Sequence, residues 1–223
     1  PESFIADDSY FYMVVARNLA LTGVQTFSDI TVTNGVHPLW IYLLSGYSYL
    51  VSLLSPASLY QAAYIVPLSA ALLAVGLMLL WRVGTLINLP PFSLVIIPMT
   101  MLLGLGLLGS EAIVHFASLC LLLLISVQVT HWTPLRAALA GLVCACVIFS
   151  RLDSLFVVAG FCLWHYFSVR RLDLSLIIIS VCALAIVPYL AHNWFVFGSV
   201  VPISGWLKGT FPHIHFKGFE LRG

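Results

Sequence analysis

The stretch that decides the fold is residues 174–187, LSLIIISVCALAIV, which would be apolar on every side of a helix. It belongs to one of four long runs without Asp, Glu, Lys or Arg, which cover residues 38–81, 83–110, 112–135 and 174–207. A helix needs about 20 apolar residues to cross a bilayer. These runs therefore predict several membrane crossings.

The composition supports this interpretation. Of 223 residues, 61% are hydrophobic and 8% are charged, with a mean hydropathy of +1.08, whereas a soluble domain has about 25% charged residues. Residues 118–126 (SLCLLLLIS) lack the alternating polarity of a transmembrane β-barrel strand. The net charge of +1, without a dense Lys/Arg cluster, argues against nucleic-acid binding. We predict an all-α polytopic transmembrane helical bundle.

The chain divides into a polar start, an apolar middle and a polar end. We predict a helix over residues 10–22, capped by Asp8 or Ser9 and ended by Gly23, and then an extended loop over residues 25–37. Residues 1–223 form one transmembrane domain, with an external loop and juxtamembrane helix in 1–37, apolar helices in 38–197 and an external loop in 198–223. The apolar segments are 38–55, 58–81, 90–108, 111–130, 135–150, 153–168 and 172–197.

Arginines at segment ends set the orientation. Arg82, Arg136 and the Arg170-Arg171 pair should face the cytoplasm by the positive-inside rule. Segment 38–55 then either stays on one side as a re-entrant or juxtamembrane segment, or one arginine assignment is wrong. We favour the first alternative, because it gathers most of the remaining charges on one external side. These are Asp7, Asp8, His37, Glu111, Arg151, Asp153 and Lys208.

Four acids at membrane borders, Asp7, Asp8, Glu111 and Asp153, are candidates for chemistry, because a charge near hydrocarbon is costly and tends to be paired or functional. Asp7 and Asp8 can act as a general base or bind a metal, but Asp8 can equally cap a helix. Glu111 begins a long apolar helix, where the helix dipole alone favours a carboxylate.

Two cations can hold an anion. The guanidinium of Arg151 matches the geometry of phosphate, but Arg151 and Asp153 can equally neutralise each other in the sequence SRLD. Lys208 lies in the polar segment after the last apolar run, on the same predicted external side.

Several motifs occur in a characteristic order, and the chain resembles a known superfamily. The motifs are residues 5–12 (IADDSYFY), 16–19 (ARNL), 33–40 (TNGVHPLW), 109–111 (GSE), 150–153 (SRLD) and 193–208 with Asn193, Pro202 and Lys208. Together they resemble the polytopic glycosyltransferases of the GT-C superfamily, of the protein mannosyltransferase and arabinosyltransferase type. The TNGVHPLW stretch is the most specific of these motifs. Ser110 is a departure, since the superfamily more often has Met before the glutamate.

The resemblance implies a fold, an activity and a site. Members of the superfamily carry a catalytic acid in the first external loop, which corresponds here to Asp7 and Asp8. A first helix would precede Pro1, and further helices would follow Gly223. The expected substrate-binding residues are Arg17, Asn34, His37, Glu111, Arg151, Asp153 and Lys208.

The resemblance and the acids together predict an inverting transferase that moves a sugar from a polyprenyl-phosphate donor to an acceptor hydroxyl. The acceptor is a glycan, lipid or protein, and a divalent metal such as Mg²⁺ or Mn²⁺ at Asp7 and Asp8 is an option. The expected location is the bacterial inner membrane with the site on the periplasmic face. A lipid or small-solute transporter and a non-catalytic fragment are the alternatives.

Overall fold

The computed structural model describes residues 7–28, 30–90 and 109–200, with only the backbone described at Asp7. These residues form helices and no strand, with one isolated antiparallel bridge between Thr26 and Val32. The all-α prediction is therefore confirmed for them. The α-helices are α1 (Asp7–Thr22), α2 (Pro38–Leu54), α3 (Ile65–Leu86), α4 (Glu111–Gln128), α5 (Pro134–Ser150), α6 (Leu155–Val169) and α7 (Leu172–Phe197).

Four helical stretches are long and apolar enough to cross a membrane, so the chain is a membrane protein. They are Ala62–Leu86, Glu111–Gln128, Leu152–Val169 and Leu172–Phe197, and α2 and α5 are shorter apolar helices. The predicted segment 58–81 is shifted, because residues 56–64 form two 3₁₀ turns that begin at Pro56 and α3 starts only at Ile65. The predicted segment 90–108 lies outside the described residues apart from its first position.

Local sequence sets where several helices begin and end. Thr133 caps α5 by accepting a hydrogen bond from the Arg136 N–H at 3.3 Å, and Pro134 occupies the first helical position. Gly23 ends α1 at φ +74°, as predicted. The predicted capping by Asp8 or Ser9 is wrong, because α1 begins at Asp7 and both residues lie in its first turn. Carboxylates in that turn are favoured by the helix dipole.

Three helices begin at one end of the bundle, around Gly109. The indole N–H of Trp40, near the start of α2, donates to the Gly109 carbonyl at 3.1 Å, and the Gly109 N–H donates to Ser69 of α3 at 3.1 Å. His115 of α4 is hydrogen-bonded to Ser150 at the end of α5. We call this the Gly109 end of the bundle.

The opposite end contains the start of α5, the end of α6 and the start of α7. His165 of α6 is hydrogen-bonded to Ser175 of α7 at 2.8 Å, and Trp132, just before α5, packs edge-on against His165. We call this the Arg136 end. Arg136 lies in the first turn of α5, Arg170 separates α6 from α7, and Arg82 lies near the end of α3.

Helix α2 does not carry the chain from one end of the bundle to the other. Its start contacts Gly109 through Trp40, and α3 also begins beside Gly109. Ser48, in the middle of α2, is hydrogen-bonded to Tyr64 just before α3 at 3.1 Å, and Tyr47 stacks on the same ring. The chain thus returns to the Gly109 end within residues 55–64, which favours the non-crossing alternative for segment 38–55.

Two hydrophobic clusters hold the helices together. One joins α1, α2 and the start of α3 around Val15, Trp40 and Ile65. The other surrounds α5, whose small residues allow close packing against α7. A Cβ on Gly141 of α5 would lie 2.7 Å from the carbonyl oxygen of Ile178, so the two helices touch at their backbones there.

Candidate functional site

Gly109 positions the charged residues by letting three helices meet beside it. Its φ is +87°, and an added Cβ would lie 2.8 Å from Ser9 of α1 and 3.1 Å from Ile65 of α3. Only glycine fits both the left-handed backbone and this contact. The next two residues start α4, so Glu111 projects from the first turn of a helix held against α1, α2 and α3.

Glu111 is the centre of a charged cluster. Its Oε1 lies 3.6 Å from His37 Nε2 and 3.8 Å from an Arg151 guanidinium nitrogen, and its side chain is only 16% exposed. His37 immediately precedes α2, and Arg151 follows α5. The structure therefore brings together three predicted site residues that are far apart in the sequence.

Tyr12 joins this cluster from α1 and was not predicted as a site residue. Its hydroxyl lies close enough to the Glu111 carboxylate and to the backbone N–H of His37 for both to act on its ionisation. Burial raises the pKa of Tyr12 well above its ordinary value, and the negative charges of Glu111 and Asp8 raise it further. Tyr12 is 6% exposed. It therefore stays neutral beside the Glu111 carboxylate.

The predicted catalytic acids lie in the first turn of α1. Asp8 is exposed, and its charge acts on Tyr12, one helical turn further on. The backbone of Asp7 belongs to the same turn, whereas its side chain lies outside the described part of the structure. Asp8 therefore stands beside the Glu111 cluster, at the solvent side of Tyr12.

Arg151 pairs with two acids. It donates two hydrogen bonds of 3.2 Å to Asp153, in addition to its longer contact with Glu111. The hydrogen bond to Asp153 raises the pKa of Arg151 above its already high ordinary value, so the guanidinium stays charged. The side chains of Arg151 and Asp153 are 40% and 64% exposed. Asp153 is therefore the more solvent-accessible of the two acids that Arg151 contacts.

His115, one turn after Glu111, ties three helical segments together. The Ser150 hydroxyl donates to the Val147 carbonyl at 2.7 Å, so its oxygen accepts from His115 Nδ1–H at 2.9 Å. His115 Nε2 is then an acceptor that faces the Ser154 hydroxyl at 3.4 Å. This arrangement fixes the start of α4 and the end of α5 relative to the 3₁₀ turn that carries Asp153.

The remaining predicted binding residues are placed differently. The guanidinium of Arg17 lies 4.7 Å from the centre of the Tyr60 ring, before α3. Asn34 is 2% exposed and lines a pocket between the loop after α1 and the end of α7. Lys208 lies outside the described residues. The binding roles of all three stay predictions.

The described part of the chain contains no set of side chains arranged to bind a metal ion. No three His, Cys, Asp or Glu side chains there gather closely enough to hold an ion. Glu111 is already contacted by a cation and a hydroxyl. We therefore derive no step through a metal, and metal binding by Asp7 and Asp8 stays a prediction.

The fold and the site together define the class of this chain: it is a polytopic α-helical membrane protein with a charged cluster at one end of the bundle. Comparison of the chain with protein-family models, with curated proteins and with solved structures found no match.

Proposed function

We propose that the chain is a membrane glycosyltransferase of the GT-C type, which moves a sugar from a polyprenyl-phosphate donor to an acceptor hydroxyl. The observation that supports this most is the convergence of Tyr12, His37, Glu111 and Arg151, with Asp8 beside them. These residues come from four of the six motifs that carry the resemblance.

The position of the cluster also favours transfer over transport. A transporter site lies near the middle of the membrane, typically where helices are interrupted. Here Glu111 and Arg151 lie at helix ends, next to the apolar helices, where a lipid-borne phosphate and an acceptor from the aqueous side can meet. This fits a reaction between a membrane-anchored donor and an acceptor hydroxyl.

The proposed reaction uses one carboxylate as base and cations for the leaving group. The acceptor oxygen attacks the anomeric carbon while the bond from that carbon to the phosphate oxygen breaks, and its electron pair leaves with the phosphate. Asp7 or Asp8 takes the acceptor proton. Arg151, together with Lys208, holds the departing polyprenyl phosphate by displacing Asp153 from the guanidinium.

Glu111 has a supporting role in this proposal. It keeps Arg151 and His37 at the Gly109 end, while Tyr12 holds its carboxylate in place. Because Glu111 is mostly buried and already contacted, the exposed Asp8 is better placed to receive a proton from an incoming acceptor. The proposed location is the bacterial inner membrane, with this end on the periplasmic side.

The test is sugar transfer by the purified chain in nanodiscs, with undecaprenyl-phosphate-linked radiolabelled sugars as donors. We expect release of undecaprenyl phosphate and label on an acceptor. Replacing Asp7 or Asp8 with Asn keeps the size of the side chain and removes the base. We expect one of the two variants to lose about a hundredfold or more in turnover.

Asp173→Asn is the matched control, because Asp173 is also an exposed acid in a first helical turn, at the Arg136 end. It should keep wild-type turnover. Wild-type turnover in both Asp7→Asn and Asp8→Asn would reject the assignment of the base. Movement of the labelled lipid across the bilayer of proteoliposomes without loss of its sugar would instead identify a transporter.

A further inference from the structure

Two pockets lie next to each other between α2 and α7, near the charged cluster. One has a volume of about 340 Å³ and the other about 470 Å³. Tyr42, Tyr189 and His192 line both of them, so the two are adjacent, and we call them together the double pocket. Its combined size falls within the range of about 300–1,000 Å³ for small-molecule sites.

The two halves differ in chemistry. The smaller half has polar side chains from two segments, Gln25 and Asn34 of the loop after α1 and His192 and Asn193 of α7. The larger half is lined mainly by apolar side chains, among them Leu39, Leu43, Phe149 and Pro188. None of the described residues that line either half is Asp, Glu, Lys or Arg. A charged group bound there would lose its hydration without gaining a counter-ion.

Asn193 indicates what the polar half binds. Its side chain is 2% exposed and lines the pocket beside the Tyr189 hydroxyl, and its Nδ2 group makes no hydrogen bond of good geometry among the described residues. A buried amide donor without a partner is costly. A ligand hydroxyl or ether oxygen in the pocket would satisfy it, and Tyr42 lines the same half.

We propose that the double pocket binds an uncharged lipid, with a hydroxyl-bearing head in the polar half and its chain in the apolar half. The apolar half is lined by residues of the two segments that carry His37 and Arg151, since Leu39 follows His37 by two residues and Phe149 precedes Arg151 by two. If the proposed glycosyl transfer is correct, on which this role rests, the lipid is the acceptor and its head hydroxyl receives the sugar.

The binding test uses four probes with the chain in nanodiscs: octyl glucoside, octyl phosphate, octanol and glucose. Affinity is measured from the concentration dependence of the melting temperature. We expect octyl glucoside to bind at least about tenfold more tightly than octyl phosphate or glucose, because only it matches both halves without a charge. Equal or tighter binding of octyl phosphate, or no binding of octyl glucoside, would overturn the proposal.

Two variants test the halves separately. Asn193→Leu keeps the volume and removes the amide, so it should weaken octyl glucoside binding about tenfold, the effect of one hydrogen bond, and leave octanol binding unchanged. Leu43→Trp should narrow the apolar half and weaken the binding of both octyl glucoside and octanol. Leu53→Trp, an exposed position on the same helix, is the control that should bind as wild type. Wild-type octyl glucoside affinity in Asn193→Leu would rule out the assigned head site.

The acceptor role is measured separately, by label transfer from the undecaprenyl-phosphate sugar to octyl glucoside. Binding without any turnover of the donor would reject the glycosyltransferase and keep the lipid site. Donor turnover that is the same in Asn193→Leu and wild type, with octyl glucoside as acceptor, would reject the acceptor role and keep the glycosyltransferase.

Discussion

At the scale of the residue, Tyr12 connects the acid-bearing helix α1 with Glu111 and with the backbone of His37. Tyr12→Phe keeps the ring in the core and removes only the hydroxyl. We expect it to lower the free energy of unfolding by about 1 kcal/mol and to reduce sugar transfer by loosening Glu111. Thermal unfolding in detergent and the transfer assay measure the two effects. Tyr10→Phe, at an exposed position of the same helix, should change neither.

The pH dependence of stability gives a second measure of Tyr12. Its folded-state pKa lies above the ordinary value of 10.0, because the hydroxyl is buried and faces negative charge. The neutral hydroxyl therefore contributes its full stability below pH 10, and the contribution falls as the pH rises towards the folded-state pKa. The difference in melting temperature between wild type and Tyr12→Phe should shrink above pH 10. A difference that grows there would contradict the assigned contact.

The ion pair of Arg151 distinguishes a phosphate site from a structural bridge. If Arg151 holds the donor phosphate, Arg151→Ala should weaken use of the lipid-linked donor about ten- to a hundredfold. If it only neutralises Asp153, the double variant with Asp153→Ala should restore both stability and activity. Donor dependence and melting temperature are measured on the same samples. Full donor affinity in Arg151→Ala would leave Arg151 a structural partner.

The chain provides a matched control for Arg151. Arg171 makes the same kind of paired contact with Asp173, with the same two-residue spacing, at the Arg136 end. Both side chains are more than half exposed, so the pair should contribute little to stability. Arg171→Ala should therefore keep donor affinity and nearly the wild-type melting temperature.

Residue types alone predicted part of the cluster. Charges in an apolar chain are few, so Asp8, His37, Glu111, Arg151 and Asp153 stand out in the sequence. Tyr12 does not stand out, because tyrosine is also common at membrane interfaces. The signal that could have found it is its position four residues after Asp8, on the same face of a helix.

At the scale of the element, α5 depends on small residues. An added Cβ at Gly141 would lie 2.7 Å from the Ile178 carbonyl and 2.9 Å from the Val181 Cβ. Gly141→Ala should therefore destabilise the contact between α5 and α7 by about 1–3 kcal/mol. The measurement is thermal unfolding in detergent. A Gly141→Ala variant that is as stable as wild type would mean that the helices separate there at little cost.

Gly160→Ala is the control for Gly141. It is also a substitution inside an apolar helix, but nothing lies within 4 Å of the added Cβ. Alanine favours a helix by about 1 kcal/mol over glycine. Gly160→Ala should therefore be neutral or stabilising, so the two variants should shift the melting temperature in opposite directions.

The residues at which helices begin and end were predicted less accurately than the existence of the helices. The apolar runs located α4 to α7 to within a few residues, because a charge, a proline or a glycine lies near most of their boundaries. The start of α3 was missed, since residues 58–64 are apolar enough to extend a helix but form 3₁₀ turns that bring Tyr64 against Ser48. Hydropathy does not distinguish those two conformations.

At the scale of the whole molecule, the charged residues meet because α1, α2 and α4 begin at the Gly109 end of the bundle and α5 ends there. The sequence predicted a shared external side for them through the positive-inside rule. It did not predict the contacts, which depend on the close approach at Gly109 and on the register of α4 against α5 through His115 and Ser150. Register of that kind depends on side-chain packing between distant segments and has no periodic signal in the sequence.

The arrangement of the two ends predicts a labelling pattern across the membrane. The loop after α1 belongs to the Gly109 end and the loop before α5 to the Arg136 end, and arginines concentrate at the latter, which should be cytoplasmic. In a chain without its native cysteines, Ser28→Cys should react with an impermeant maleimide on intact cells, and His131→Cys only after permeabilisation. Ala57→Cys, exposed between α2 and α3, should react like Ser28→Cys because α2 does not cross. Reaction of Ala57→Cys only after permeabilisation would mean that α2 spans the membrane, and the reverse pattern at Ser28 and His131 would put the charged cluster on the cytoplasmic side.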